Sequence, residues 1–375
     1  MRHIQHFLVL VLLFSIFNLA RASCPNKFFD ESCSCLPPQN GYCITAGSKK
    51  FTYYKIAEDL KQFVAPDAGI ELKVMEGESV KNIKRMRWQH GVKLSIIQSD
   101  VLEFYKAEQK NGNPVAAQII KPLRAVMPLY NEEVHILVKA KSGIETFSDL
   151  KDKKVAVGRL TSGPAVTMKS LYQHVFNEEM ASDNIHYTPE GVDSIDDGLG
   201  ALANDSVDAW VMVVGQGTER IAAFLPEAAK HFKFVKFDAN NAQEKQILNG
   251  PYFTATIRKD SYPWLEEDVP TITTKAILIT QRYTNPTTKK NIRLFTQSFC
   301  KNFARLQAEG NPKWQEVKLE RIKLPGDWQY SKDAIAAFDS DSCNLKEVIP
   351  GVQAQANDDG CSSQEAVLNL CVAEE

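Results

Sequence analysis

The sequence predicts an α/β protein of two lobes, each a mainly parallel sheet flanked by helices, with a hinge of two strands between them. Three observations carry this expectation. From Tyr42 onward one unit recurs: a short apolar strand, a loop of small polar residues, then an amphipathic helix. That alternation builds parallel sheets with helices on their faces. Two apolar segments, Val134–Lys139 and Phe253–Arg258, interrupt the series and bracket the residues between them, as strands crossing into an inserted lobe would. The chain also has 375 residues, more than the roughly 250–300 over which one core usually extends. Residues 42–135 with 255–340 are therefore assigned to the first lobe and residues 136–254 to the second.

The elements follow in order. Strand Tyr42–Ala46 precedes a helix over Tyr53–Val64, and strand Ile70–Met75 precedes a helix over Ser79–Trp88. Strand Leu94–Ile97 leads to a helix from Val101, strand Val155–Val157 to a helix over Pro164–Phe176, and strand Val207–Val214 to a helix over Thr218–Phe224. Each helix reading rests on apolar residues at three- and four-residue spacing, each strand on a short β-branched run. Pro37-Pro38-Gln39-Asn40-Gly41 reads as a linker.

The two ends differ from this pattern. Arg2 and His3 precede an apolar run from Phe7 to Phe17, followed by Asn18 and Ala20-Arg21-Ala22. This is the layout of a secretory leader cleaved after Ala22, and the run is shorter than the about 20 residues that span a bilayer. The expected location is periplasmic or secreted, with no membrane-spanning segment in the mature chain. Loss of residues 1–22 removes two of the 44 basic residues and none of the 46 acidic ones, leaving a formal charge of −4. Nucleic-acid binders carry a basic excess instead, so nucleic acid is set aside as a partner.

Export makes the eight cysteines disulfide candidates. Cys24, Cys33, Cys35 and Cys43 crowd a Cys-rich extension over residues 23–41 and the first strand; Cys343, Cys361 and Cys371 crowd a C-terminal extension over 341–375; Cys300 lies between. Their pairing is left open. No His stands near them and no second paired motif answers Cys33 and Cys35, so no zinc site is expected.

Ligands of open α/β sheets bind beyond the carboxyl ends of the strands, which directs attention to five loops. The first offers Gly47, Ser48 and Lys50 with Tyr54 behind them; the second Ser79; the third Gln98, Ser99 and Asp100. The fourth offers Arg159, Thr161, Ser162 and Gly163, and the fifth Gln216 and Gly217. Taken singly, these are ordinary turn and capping residues. As a set they place hydroxyls, helix N-termini and two cations, Lys50 and Arg159, on loops of both lobes, where closure gathers them around a small anionic solute. Tyr130 joins Tyr54 as an aromatic that lines the solute.

Several stretches in family order match a known group: Thr45-Ala46-Gly47-Ser48 with Tyr53-Tyr54, Glu78-Ser79-Val80-Lys81-Asn82, Ile97-Gln98-Ser99-Asp100-Val101, Leu123-Arg124-Ala125-Val126 with Leu129-Tyr130, Val134-His135-Ile136-Leu137-Val138, Ser148-Asp149-Leu150-Lys151 and Val155-Ala156-Val157-Gly158. Over roughly residues 42–300 the chain resembles the TAXI receptors of tripartite (TRAP) transporters. The resemblance implies a type II periplasmic-binding-protein fold, TRAP permease subunits as membrane partners, and a glutamate-like amino acid or dicarboxylate as ligand. The chain departs from the family's usual first loop by carrying Lys49-Lys50-Phe51 in place of glycines. In the fourth loop it has Thr161-Ser162-Gly163-Pro164 where the family usually has Gly-Ser-Gly-Thr.

No catalytic, cofactor or metal site is expected. There is no Gly-x-Ser-x-Gly elbow, no His-Glu-x-x-His and no phosphate loop with lysine, and the histidines lack ligand spacing. The alternative to a transport receptor is an exported interaction or adhesion protein that reuses the scaffold and makes contact through its Cys-rich ends.

Overall fold

The structure, a computed structural model, describes residues 41–224, 226–324, 328–341, 343 and 345. The leader with its cleavage site, residues 23–40, and Cys24, Cys33, Cys35, Cys361 and Cys371 lie outside them. Among the described residues no helix is long and apolar enough to cross a membrane.

The strands are β1 (Gly41–Thr45), β2 (Glu71–Met75), β3 (Val92–Gln98), β4 (Leu123–Lys139), β5 (Val155–Ala156), β6 (Ile185–His186), β7 (Ala209–Val214), β8 (Phe232–Phe234), β9 (Phe253–Ile257) and β10 (Val269–Gln281). The helices are α1 (Thr52–Asp59), α2 (Ser79–Trp88), α3 (Val101–Lys110), α4 (Pro114–Ile120), α5 (Gly163–Phe176), α6 (Ser194–Ala203), α7 (Glu219–Ala222), α8 (Pro226–Ala229), α9 (Pro286–Lys301), α10 (Phe303–Glu309) and α11 (Lys332–Phe338). Local chemistry sets several boundaries. Ser162 caps α5 by accepting from the Ala165 N–H, Asp193 caps α6 through Ile195 and Asp196, and Asn285 caps α9 through Thr288. Pro114, Pro164 and Pro286 sit in first turns, where a missing N–H costs nothing.

The strands join in the order β2-β1-β3-β10-β4-β7-β5-β6, with β9 beside β10 and β8 beside β4. β1 runs parallel to β2 and β3, and β5 parallel to β6 and β7. The two long strands, β4 and β10, are antiparallel to their neighbours and pass between the halves. β4 pairs with β10 from Leu123 to Glu133, then with β7 from Glu133 to Val138. β10 pairs with β9 from Val269 to Thr273, then with β3 from Ala276 to Ile279. Both strands therefore exchange partners near Glu133 and Thr273.

The core divides at the same place. One half holds a cluster around Ile44, Phe295 and Trp314 and another around Ile83, Ile97 and Ile277. The other half holds one around Ile136, Phe147 and Tyr172 and another around Leu137, Trp210 and Tyr262. One continuous ten-stranded sheet, whose two halves each carry an apolar layer on both faces and are joined through β4 and β10, makes up the two-lobed type II periplasmic-binding-protein fold.

The second crossing strand is β10, not Phe253–Arg258. β9 is an edge strand with alternating exposure that pairs only with the beginning of β10. The first crossing strand begins eleven residues earlier than the apolar pattern indicates, at Leu123 rather than Val134. Pro128 and the polar run Asn131-Glu132-Glu133 lie inside it. Proline donates no ladder hydrogen bond, and the pairing with β10 shifts register beside it, between Lys275 and Ile277.

Among the described cysteines, Cys300 in α9 is bonded to Cys343 at a Cα–Cα distance of 5.2 Å, tying α9 to the chain beyond α11. Cys43 in β1 is also disulfide-bonded.

Candidate functional site

A cavity of about 160 Å³ lies where the carboxyl ends of the strands from both lobes face each other. From the first lobe come Gly47, Ser48, Phe51, Thr52 and Tyr53 around the start of α1, Gly77, Glu78 and Ser79 before and at α2, Gln98 at the end of β3, and Glu132 on β4. From the second come Gly158, Arg159 and Ser162 before α5 and Gly163 at its start, Ser194 and Ile195 on α6, Trp210–Val214 on β7, and Thr218 with Ile221. The first turns of α1 and α2 reach the cavity at Thr52, Tyr53 and Ser79, where main-chain N–H groups have no intrahelical partner. Much of the remaining wall is apolar, from Phe51, Ile195, Trp210, Met212 and Ile221.

The lobes meet around this cavity through polar contacts. Lys50 Nζ lies 2.6 Å from Asp193 Oδ2, and Lys55 Nζ lies 3.4 Å from Glu219. Glu78 accepts from Arg159 Nη1 at 3.0 Å and from the Thr161 hydroxyl. The Val80 N–H donates to the Thr161 carbonyl at 3.2 Å. Deeper in, Thr167 of α5 donates to Asp100 Oδ2 at 2.6 Å and accepts from Gln98 Nε2 at 3.3 Å. Gly163 permits this closeness: a Cβ there would fall 1.1 Å from Gln98 Oε1. These contacts hold the two lobes against each other around the cavity.

Seven of the residues expected from the sequence line the cavity: Gly47, Ser48, Ser79, Gln98, Arg159, Ser162 and Gly163. The others do not. Lys50 is drawn out of the cavity by Asp193. Thr161 is turned to Glu78 and borders a separate surface groove. Ser99 bonds the Thr274 hydroxyl and the Lys275 N–H behind the cleft. Asp100 stands at the N-cap of α3 but makes no side-chain cap; it accepts from Thr167 and from Tyr252 at 3.1 Å. Gln216 bonds Glu133, the Thr256 carbonyl, the Arg258 N–H and the Ser261 hydroxyl, bracing the hinge. Gly217 follows it at φ 80°, a turn position outside the cavity lining. Tyr130 is fully buried in the first-lobe core. Tyr54 is absent from the lining, and its neighbour Tyr53 takes that place.

Tyr53 was recoverable from helical spacing. It shares a face with the buried Ile56, Ala57 and Leu60, whereas Tyr54 shares one with Glu58 and Lys61. Glu132 gave no such signal, because the strand that carries it was invisible over that stretch.

The electrostatics also differ from the expectation. Arg159 is committed to Glu78 and to the Val192 carbonyl at 2.8 Å, leaving Nε–H without a partner among the described residues. Glu132 is 5% exposed, and its Oε2 accepts from the Tyr53 hydroxyl. Burial, reinforced by Asp100 and Glu133, pushes its carboxyl up to about 8, although the Tyr53 bond and Lys313 act the other way. Burial, with Glu132 close behind, holds the Tyr53 hydroxyl well above the ordinary phenol range. Burial raises Asp100 to about 6 against the bonds from Thr167 and Tyr252.

A cavity between two lobes joined by two long strands is the candidate ligand site of this chain. The chain belongs to the NMT1-like family, whose profile matches residues 44–324. A search of curated proteins finds no match to it. Among solved structures it is similar to an arginine transport-system periplasmic binding protein from Legionella pneumophila, at 15% identity and TM-score 0.41, covering 74% of this chain and 99% of that one. It is also similar to the arginine-, lysine-, histidine-binding protein ArtJ from Geobacillus stearothermophilus, at 12% identity and TM-score 0.40, covering 72% and 96%. The substrate-binding protein of an amino acid ABC transporter shows 14% identity and TM-score 0.41, covering 73% and 95%.

Proposed function

We propose that this protein is the extracytoplasmic receptor of a TRAP-type transporter, capturing a small carboxylate by closing its lobes and then docking on the permease subunits. The observation that carries the receptor reading is a cavity lined from both lobes and bridged by contacts between them, Glu78–Arg159 in its wall and Lys50–Asp193 outside it. Ligand carboxylate oxygens are taken by the first-turn N–H groups of α1 and α2 and by the hydroxyls of Ser48, Ser79 and Ser162. The transporter class rests on the sequence resemblance, and the periplasmic or secreted location on the leader over residues 1–22.

The test begins with protein unfolded and refolded to remove carried-over solute, followed by melting against amino acids, keto acids and dicarboxylates. A true ligand at a hundredfold excess over its dissociation constant stabilises the folded state by about 2.7 kcal/mol. A flat response across the panel contradicts the receptor reading. Solute uptake by vesicles containing the permease subunits, dependent on added receptor, tests the transporter assignment.

A further inference from the structure

We propose that the Glu132 carboxylate, held by the Tyr53 hydroxyl, is the recognition point for a protonated amine, so that the receptor takes a small amino acid with an apolar side chain and rejects dicarboxylates. The inference rests on the receptor reading above and narrows its ligand.

Charge placement inside the cavity is the first argument. Its charged lining consists of Glu78, Arg159 and Glu132. Glu78 and Arg159 neutralise each other at 3.0 Å, which leaves Glu132 without a counter-charge in the lining. The groups around it do not fill that role. Asp100 is turned to Thr167 and Tyr252, and Glu133 to Gln216. Lys313, the nearby cation, is ion-paired with Glu316 and lies outside the lining. A second carboxylate placed here would meet a buried acid and no free cation.

The second argument is the unfilled acceptor. Tyr53 occupies Oε2, while Oε1 has no partner among the described residues. An oxygen left open to the cavity can take a further donor, and a charged donor bonds it most strongly. Glu132, on the hinge strand, shares the cavity with the helix starts that suit a carboxylate and with the apolar residues Trp210, Met212 and Ile221. An α-amino acid presents those three features from one carbon: an anion, a cation and a side chain.

The test is calorimetric titration of refolded protein with leucine, with its keto analogue 4-methyl-2-oxopentanoate, and with succinate and 2-oxoglutarate. Leucine is expected to bind about 30-fold more tightly than the keto analogue, the scale of one charge-assisted hydrogen bond. Glu132→Gln should abolish that preference, the two ligands then binding with equal affinity. Tyr53→Phe, which leaves the carboxylate in place, should reduce the preference by a smaller factor; it also serves as the reporter should Glu132→Gln fail to fold. Tight binding of either dicarboxylate, or equal binding of leucine and its keto analogue, overturns the inference and leaves the receptor reading standing. Binding of none of the four, together with a flat melting panel, overturns both.

Discussion

At the scale of single residues, Glu132 ties ligand recognition to pH. Its carboxyl is raised from 4.5 to about 8, first by burial. The folded protein therefore holds a proton that the unfolded chain has lost between those values. Stability from this group is fully present below about 4.5 and falls as pH rises through about 8. Asp100 acts in the same direction over a lower window, from 3.8 to about 6. Melting of the empty protein across pH 5–9 should show this decline, and Glu132→Gln should flatten its upper part; an unchanged profile in the variant would show that Glu132 does not titrate there. Tyr53, Asp100, Glu133 and Lys313 are the charged or titratable groups that bear on it. An ammonium ligand favours the ionised carboxylate, so binding at pH 7 should release a proton and tighten as pH approaches 8. Calorimetry in buffers of different ionisation enthalpy reads that proton directly. Uptake instead of release would mean that a protonated Glu132 donates to an anionic ligand.

Arg159 shows how a residue's presence in the site was readable from sequence while its role was not. A cation in a loop after a strand promised an anion contact, yet its guanidinium is held across the cleft by Glu78 and the Val192 carbonyl. Nothing in the local sequence announces a partner 81 positions away. Half-exposed pairs of this kind contribute about 1 kcal/mol or less. Arg159→Ala should therefore weaken solute binding up to about fivefold through easier opening of the lobes. It should scarcely change the melting of the empty protein.

At the scale of elements, the βα units were legible where one sheet face is apolar and a capped helix follows. The helix over Ser79–Trp88 has the bounds read from the sequence, and α5 begins one residue before its proline. The crossing strands were hidden because they change environment along their length. β4 starts in one core, passes the junction of the lobes at the half-buried Asn131 and the buried acids Glu132 and Glu133, and enters another core. β10 carries Pro270 and a run of threonines through the same junction. Hydrophobic periodicity registers a strand in one environment and misses one that changes environment midway. The site suffered with them, since Glu132 lies in that stretch.

Two predictions belong to this scale. Gly163→Ala places a methyl group against Gln98 across the cleft. It should lower ligand affinity by disfavouring closure, with little effect on the melting of the empty protein; loss of melting temperature alone would place the clash within one lobe. The Cys300–Cys343 bridge spans 43 positions, and a loop of that size restricts the unfolded chain by about 4 kcal/mol at most. Replacing both cysteines with serine should lower the melting temperature and leave ligand preference unchanged. A change in preference would place the C-terminal segment in the site.

For the molecule as a whole, function follows from two rigid bodies and two strands. The cores end where β4 and β10 exchange partners, near Glu133 and Thr273. Opening therefore requires dihedral changes over a few residues and parts only Val166 and Phe51 from the clusters of the opposite lobe. The contacts that seal the cleft are mostly surface ion pairs and single hydrogen bonds, which close the lobes weakly on their own. A ligand that touches both sides supplies the difference in free energy between the two forms. Small-angle scattering from solute-free and solute-saturated protein tests this most directly, using whichever solute raises the melting temperature. The account predicts a more extended particle without solute and, with it, a curve matching the closed structure. Identical curves in both states, with the solute demonstrably bound, would contradict it.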